Sequence, residues 1–419
     1  MRAPAASLAL AATVALAGCG EGSTDDAVVG SVPANARAYL HLDRGSEDWD
    51  DAVDSLGRLP AIEALVRDLL SRQVEVPGDE QAGVVLMPGR DKPLVLTAKD
   101  PPAESSLAVT PDYEDMLAGL PSQRIATLYL ARSATGPLRS LDPTVTAAAA
   151  AADIDGDTMR IRARIRHEGE PGRCAAIVGD DLVELADPEA AFYAEVPSIA
   201  CALRALADRD KGAAATIRRI GRLATSEGGV SLQKELLPML DHRGALIATP
   251  GDAVPTLTLV VDEVDETKAL DVLSRLQPAL IRLLGSRELG QAPTFGSADV
   301  EGVTAATAHI APGLELSYAA FDGRLVVSTA LAGIGAVKKA KGLSDNDAFE
   351  DVLGDRPDAL SALVFLDLDQ LLTLGEQAGL AEDPRYLALR DDLQKLRAAG
   401  GVLTREGEFT TAELTFQIP

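Results

Sequence analysis

A stretch of 29 residues, Ser105 to Ser133, recurs without a gap at Lys341 to Asp369, 236 positions further on. Seven aligned positions are identical: Leu107/Leu343, Glu114/Glu350, Asp115/Asp351, Leu117/Leu353, Pro121/Pro357, Ala126/Ala362 and Leu130/Leu366. Average composition gives roughly two or three such matches. The aromatic positions pair as well, Tyr113 with Phe349 and Tyr129 with Phe365. Each copy reads as a helix, a proline turn and a strand. In the first, Thr110 is placed to cap a helix that starts at Pro111, and Asp112, Glu114 and Asp115 complement its positive end. Tyr113, Met116, Leu117 and Leu120 form its apolar stripe, and a strand follows Pro121 from Ile125 to Leu130. In the second, Asn346 is the cap, Phe349, Val352 and Leu353 form the stripe, and Leu363 to Leu368 is apolar enough for a strand buried on both faces.

Weaker correspondences extend the repeat in both directions. The strand opened by Val32-Pro33 matches the segment around Pro188 to Tyr193. Helices expected at Asp48 to Leu56 and Ile62 to Leu70 match those at Ile199 to Ala207 and Ala213 to Leu223. Gly83 to Asp100 matches Gly244 to Asp262, each with a Pro-Gly turn between short strands. The closing hairpins correspond too: Ala148 to Ile154 and Met159 to Ile165 turn at Asp155-Gly156, and Gly400 to Thr404 and Phe409 to Ile418 turn at Glu406-Gly407. The second copy alone has a long amphipathic helix, Glu266 to Leu284, and a meander turning at Asp322-Gly323. The expected fold is therefore α+β. It comprises two tandem diverged copies of a sheet with helices on one face, residues 32–170 and 171–419, the N-terminal copy being reduced.

The segments Asp322 to Thr329, Leu343 to Phe349 and Leu363 to Leu368, with the Val32-Pro33 opening, resemble the bacterial family known as domain of unknown function 3352. The resemblance covers most of the chain beyond its leader and implies an exported or membrane-attached protein. That family has no assigned activity, so it brings no catalytic residues.

The N-terminus carries an address. Arg2, the apolar run Leu8 to Leu16 and Leu16-Ala17-Gly18-Cys19 resemble the signal peptide and lipobox of a bacterial lipoprotein, with residues 1–18 removed and Cys19 lipidated. The apolar run is too short to span a membrane, and two acyl chains on Cys19 suffice for anchoring. An ordinary secretory signal cut after a small residue is the alternative. Residues 19–31 then hold the lipidated cysteine and a flexible tether. The implied location is the extracytoplasmic face of the cell membrane, with the N-terminal diacylglycerol as the membrane contact. Of the remaining cysteines, Cys174 and Cys201 are either bridged, which an exported chain allows, or two separately buried thiols.

The chain's 419 residues carry a net charge of −25, which repels phosphates and argues against a nucleic-acid partner. The other candidate sites each have a structural reading. Asp153, Asp155 and Asp157 alternate as in a calcium loop, but Arg164 stands where a bidentate acid is required, so the segment reads as a hairpin turn. Gly333, Gly335 and Lys338 suggest a phosphate turn but lack its third glycine and a following βαβ unit, so the segment reads as a tight strand-to-helix turn. His41, His167, His242 and His309 have no metal-ligand spacing, and Asp262 with Asp265 reads as surface charge. No catalytic, cofactor or metal residue is assigned. The leading expectation is a membrane-anchored, non-catalytic binding module, engaging an envelope protein through a cleft between its halves. The alternative is a carrier or chaperone for a lipid or apolar peptide, and a hydrolase comes third.

Overall fold

The structure, a computed structural model, describes residues 27–45, 49, 53–55, 57–61, 81–90, 92–122, 124–169, 180–251, 254–284, 293–311, 314–377 and 379–418. The leader, Cys19, Cys174, and all or most of the two helices expected between Asp48 and Leu70 lie outside them. The class is α+β, as expected. No helix among the described residues is long and apolar enough to cross a membrane. The chain divides into two compact units, one of residues 1–171 with 375–419 and the other of residues 172–374. This differs from a simple split at residue 170. The last hairpin, β15 (Ala398–Glu406) and β16 (Phe409–Gln417), belongs with the first unit, where β16 pairs with β6 (Thr158–His167) over its whole length.

In the first unit, β1 (Ala38–Asp43), β2 (Gln81–Leu86), β3 (Leu94–Thr97), β4 (Ala126–Leu130) and β5 (Val145–Asp155) complete an antiparallel sheet in the order β15-β16-β6-β5-β4-β1-β2-β3. Apolar residues occur at both parities of β1, β4 and β5, so both faces require cover. Leu40, Leu128 and Ala148 lie in one core with Trp49 and with Leu138 of α2 (Gly136–Leu141). Tyr39, Tyr129 and Ala149 lie in the other, with Tyr113 and Met116 of α1 (Pro111–Leu117). The expectation of helices on one face is corrected here: the strands are apolar on both sides, and helical residues pack against each.

In the second unit the strands are β7 (Phe192–Val196), β8 (Gly244–Thr249), β9 (Thr256–Val261), β10 (Gly296–Val300), β11 (Val303–Ala311), β12 (Leu314–Phe321), β13 (Arg324–Ser328) and β14 (Ala362–Asp367), in the order β10-β11-β12-β13-β9-β8-β7-β14. Its helices include α3 (Ile199–Arg209), α4 (Lys211–Gly228), α5 (Glu266–Leu284), α6 (Leu331–Lys339) and α7 (Asp347–Leu353). Leu325 and Val261 pack with Ala224 of α4 and with Val272 and Leu276 of α5. Ser328, at the opposite parity of β13, lies against Gly333 of α6, so this sheet also carries helices on both faces. A Cβ on Gly333 would stand 2.2 Å from Ser328 Oγ and 2.4 Å from Thr258 Oγ1. Only glycine lets α6 sit this close.

The recurring segments adopt like geometry. β1 lies between β2 and β4, with β3 outermost. β7 lies between β8 and β14, with β9 beyond. Tyr39 pairs across the ladder with Val85 and Tyr129, and Tyr193 with Ile247 and Phe365. The helix residue before each proline turn meets the strand residue after it edge-on: Tyr113 and Tyr129 at 5.3 Å and 80°, Phe349 and Phe365 at 5.2 Å and 71°. Two local expectations change. Thr110 Oγ1 donates to Leu107 O at 2.8 Å instead of capping α1, whereas Asn346 Oδ1 does accept from Phe349 N at 3.0 Å. β14 is not buried on both faces, because its burial alternates and leaves Val364 and Leu366 half-covered. The Asp322-Gly323 turn joins β12 to β13 with positive φ at both residues, 51° and 73°, as a two-residue hairpin of the primed type needs. Two further helices, α8 (Leu368–Gln377) and α9 (Pro384–Leu393), follow β14 in the chain.

Candidate functional site: an arginine-lined groove and a buried ionic ladder

Two helices of the second unit build the groove. Asp210 Oδ1 caps α4 by accepting from Ala213 N at 2.7 Å, and Gly229, at φ 63°, ends it. Asp265 Oδ1 caps α5 through Lys268 N at 3.0 Å. The helices cross closely because Gly228 has no side chain: a Cβ there would lie 2.4 Å from the carbonyl oxygen of Arg275. Away from that crossing, Arg219, Arg222, Leu223 and Ser226 of α4 and Arg282 of α5 line an open depression of about 270 Å³. Spacings of three and four along α4 put its four lining residues on one face. Arg282 Nη1 is paired with Glu227. Among the described residues neither Arg219 nor Arg222 has a hydrogen-bond or ion-pair partner. Chemically, such a groove offers guanidinium donors to an anion.

The second feature is interior. Arg243 Nη2 donates to Asp262 Oδ2 at 2.6 Å, and Arg324 Nε to Asp262 Oδ1 at 3.2 Å. Asp262 faces these residues from adjacent strand ends. Arg243 Nε also lies 3.9 Å from Glu195 Oε1, and Tyr193 OH donates to Glu195 Oε2. Burial, followed by the Glu195 carboxylate, pushes the Tyr193 phenol well above its ordinary value. A tyrosine held protonated is a hydrogen-bond donor, not a base. The ladder therefore locks strand ends together.

The sequence candidates are scattered. Asp155 ends β5, and the turn it precedes is Gly156-Asp157. No group of acids, histidines or cysteines able to hold a metal occurs among the described residues. Gly333 and Gly335 lie inside α6, against Ser328 and Val300, instead of forming a turn that cradles phosphate, and Lys338 Nζ is committed to Asp322 at 2.7 Å. His41 stacks on Tyr39. His167 Nδ1 contacts Thr144 Oγ1 at 3.0 Å. His242 accepts from Ile199 N through its carbonyl oxygen, and His309 is exposed beside Glu315. Asp262 and Asp265 do not meet as an acid-base pair: the first joins the ladder and the second caps α5. Cys201 is disulfide-bonded, and both other cysteines lie outside the described residues.

Sequence reading found the helices that carry the groove but not its arginines. A signal was present, since residues 211–228 hold Lys211, Arg218, Arg219 and Arg222 against Glu227 alone, in a chain of net charge −25. Arg282, more than fifty residues away, joins them only through the packing of α4 on α5.

No family model matches the chain, and no curated protein matches it. Among solved structures it is similar to one described as "Structure of crystal form III of TP0453", at 10% identity and a TM-score of 0.29, over 56% of this chain and 92% of that chain. A likeness at that level carries no argument.

Proposed function

We propose that this chain is a lipid-anchored, non-catalytic binding module on the extracytoplasmic face of the cell membrane, built from two diverged copies of one α+β arrangement. The address rests on the Leu16-Ala17-Gly18-Cys19 lipobox. The observation that carries the binding role is the groove between α4 and α5: a concavity lined by three arginines suits recognition of an anion. The like strand order and paired rings of the two segments support descent by duplication. A second reading, a carrier for a lipid or apolar peptide, is favoured by the exposed Leu246, Val254 and Leu257 on and beside β8 and β9.

Two measurements test the proposal. The chain partitions into detergent and its N-terminal peptide has the mass of a diacylated Cys19, whereas Cys19→Ala leaves an uncleaved, unlipidated precursor. Unchanged partitioning of that variant refutes the anchor. Native mass spectrometry of protein taken from its own membranes separates the two roles, because a stoichiometric apolar ligand that survives detergent exchange favours the carrier.

A further inference from the structure

Three features mark the groove. Within α4, four cations face one acid, although the chain as a whole carries 64 acidic against 39 basic residues. Elsewhere Arg132 pairs with Glu168, and Arg275 with Glu235 and Asp271. Arg219 and Arg222 have none among the described residues, and both are exposed at a concavity. Lastly, the third cation comes from a different helix, and the Glu227 carboxylate paired with it competes with any anion for its guanidinium.

Guanidinium groups presented from two sides match a group with several anionic oxygens around one centre, because each planar fork can donate twice to such a group. A single carboxylate offers two oxygens and one charge, which is too few for three forks. We infer that the groove between α4 and α5 is a binding site for a phosphate group, borne by an anionic phospholipid or by a soluble phosphate ester. The assignment rests on the binding-module reading and gives it a ligand class. A lipid source is at hand if Cys19 is acylated, since the anchor holds the chain at a surface of phospholipid headgroups, where each basic residue adds to attraction by an anionic leaflet. Ser226, beside the arginines, supplies a hydroxyl for one further hydrogen bond.

The test uses the full-length lipidated protein in uncharged detergent micelles. Phenylglyoxal modification of arginines is mapped by mass spectrometry with added inorganic phosphate, with micelles doped with phosphatidylglycerol, with phosphatidylcholine-doped micelles, and with chloride at matched ionic strength. Either phosphate or phosphatidylglycerol slows modification at Arg219, Arg222 and Arg282 together, while the paired Arg132 is unaffected. Protection by both probes or by phosphatidylglycerol alone identifies a lipid headgroup, and protection by phosphate alone identifies a soluble ester. Arg222→Ala weakens protection of the other two about fivefold, and Glu227→Gln strengthens it by removing the competing carboxylate. A melting curve confirms that both variants are folded. Equal protection by chloride, or none by either phosphate probe, overturns the site. Because lipidation is read separately on the same sample, loss of protection with an intact acylated Cys19 sinks the ligand assignment alone.

Discussion

Single residues in this protein act chiefly through the company they keep. Asp262 accepts from Arg243 and Arg324 at the ends of adjacent strands, so removing its carboxylate leaves two half-buried cations facing each other. Asp262→Ala is expected to lower the unfolding free energy of the second unit by about 2–3 kcal/mol, read from urea midpoints at unchanged slope; a loss below about 0.5 kcal/mol, the scale of a surface substitution, refutes the role. His167 supplies a pH dependence. Its side chain lies against Thr144 and Asp142, within the field of Arg405, and its Nε2 is buried without a hydrogen-bond partner. Burial holds the imidazole below its ordinary value of 6.5, Asp142 opposes that shift and Arg405 adds to it. The unfolded chain therefore takes up this proton more readily than the folded one, and stability falls as the pH drops below about 6.5. Asp142 acts in the same direction at lower pH. Burial pushes its carboxyl up, but Thr144, His167 and Arg405 together bring it below the ordinary 3.8, so its contribution is present above that value and is lost on further acidification. His167→Gln should flatten the decline in urea midpoint between pH 7 and pH 5. An unaltered slope in that variant would assign the effect elsewhere.

At the level of elements, the pairing of helix and strand across each proline turn was legible in the sequence. Tyr113 and Phe349 were marked by spacing, and both rings meet their strand partners edge-on. The meander turn was legible for the same local reason, since Asp322-Gly323 tolerates the positive φ that its hairpin demands. What failed was longer in range. The apolar run of β14 reads as doubly buried, yet whether its second face is covered depends on elements distant in sequence. Gly333 reads as part of a tight strand-to-helix turn, whereas it lies inside α6 and allows the close approach of that helix to Thr258 and Ser328. Gly333→Ala should destabilise the second unit by about 1–3 kcal/mol through overpacking, and a Ser328→Ala background should recover part of that loss. Equal effects in the two backgrounds, measured by thermal melts, would locate the strain at another contact.

At the scale of the whole molecule, the compact units are not the sequence repeats. The closing hairpin lies in the first unit because β16 pairs with β6, residue for residue from Phe409 opposite Arg166 to Gln417 opposite Thr158. Arg162 of β6 fastens to Glu413 of β16 through Nε at 2.6 Å. A cross-link adds to this architecture, since Cys201, at the start of α3, is disulfide-bonded. We expect Cys174 as its partner. Reduction should then lower stability by about 2–4 kcal/mol, and peptide mapping without reductant should recover residues 174 and 201 in one linked species. Free thiol at Cys174 in the oxidised protein would refute that pairing.

The sequence by itself determined whatever depends on neighbours a few residues apart: the Asn346 cap, the primed turn at Asp322-Gly323, the two copies of helix, proline turn and strand, and the α+β class they imply. These are set by backbone sterics and by hydrogen bonds within one or two turns of chain. Tertiary structure alone decided which strand edge the last hairpin joins, that both sheet faces carry helices, that Asp262 lies between two arginines, and that Arg282 stands across a groove from Arg219 and Arg222. Each of these brings together groups separated by tens to hundreds of residues. Their meeting is fixed by which apolar faces pack together, and local pattern does not encode that choice.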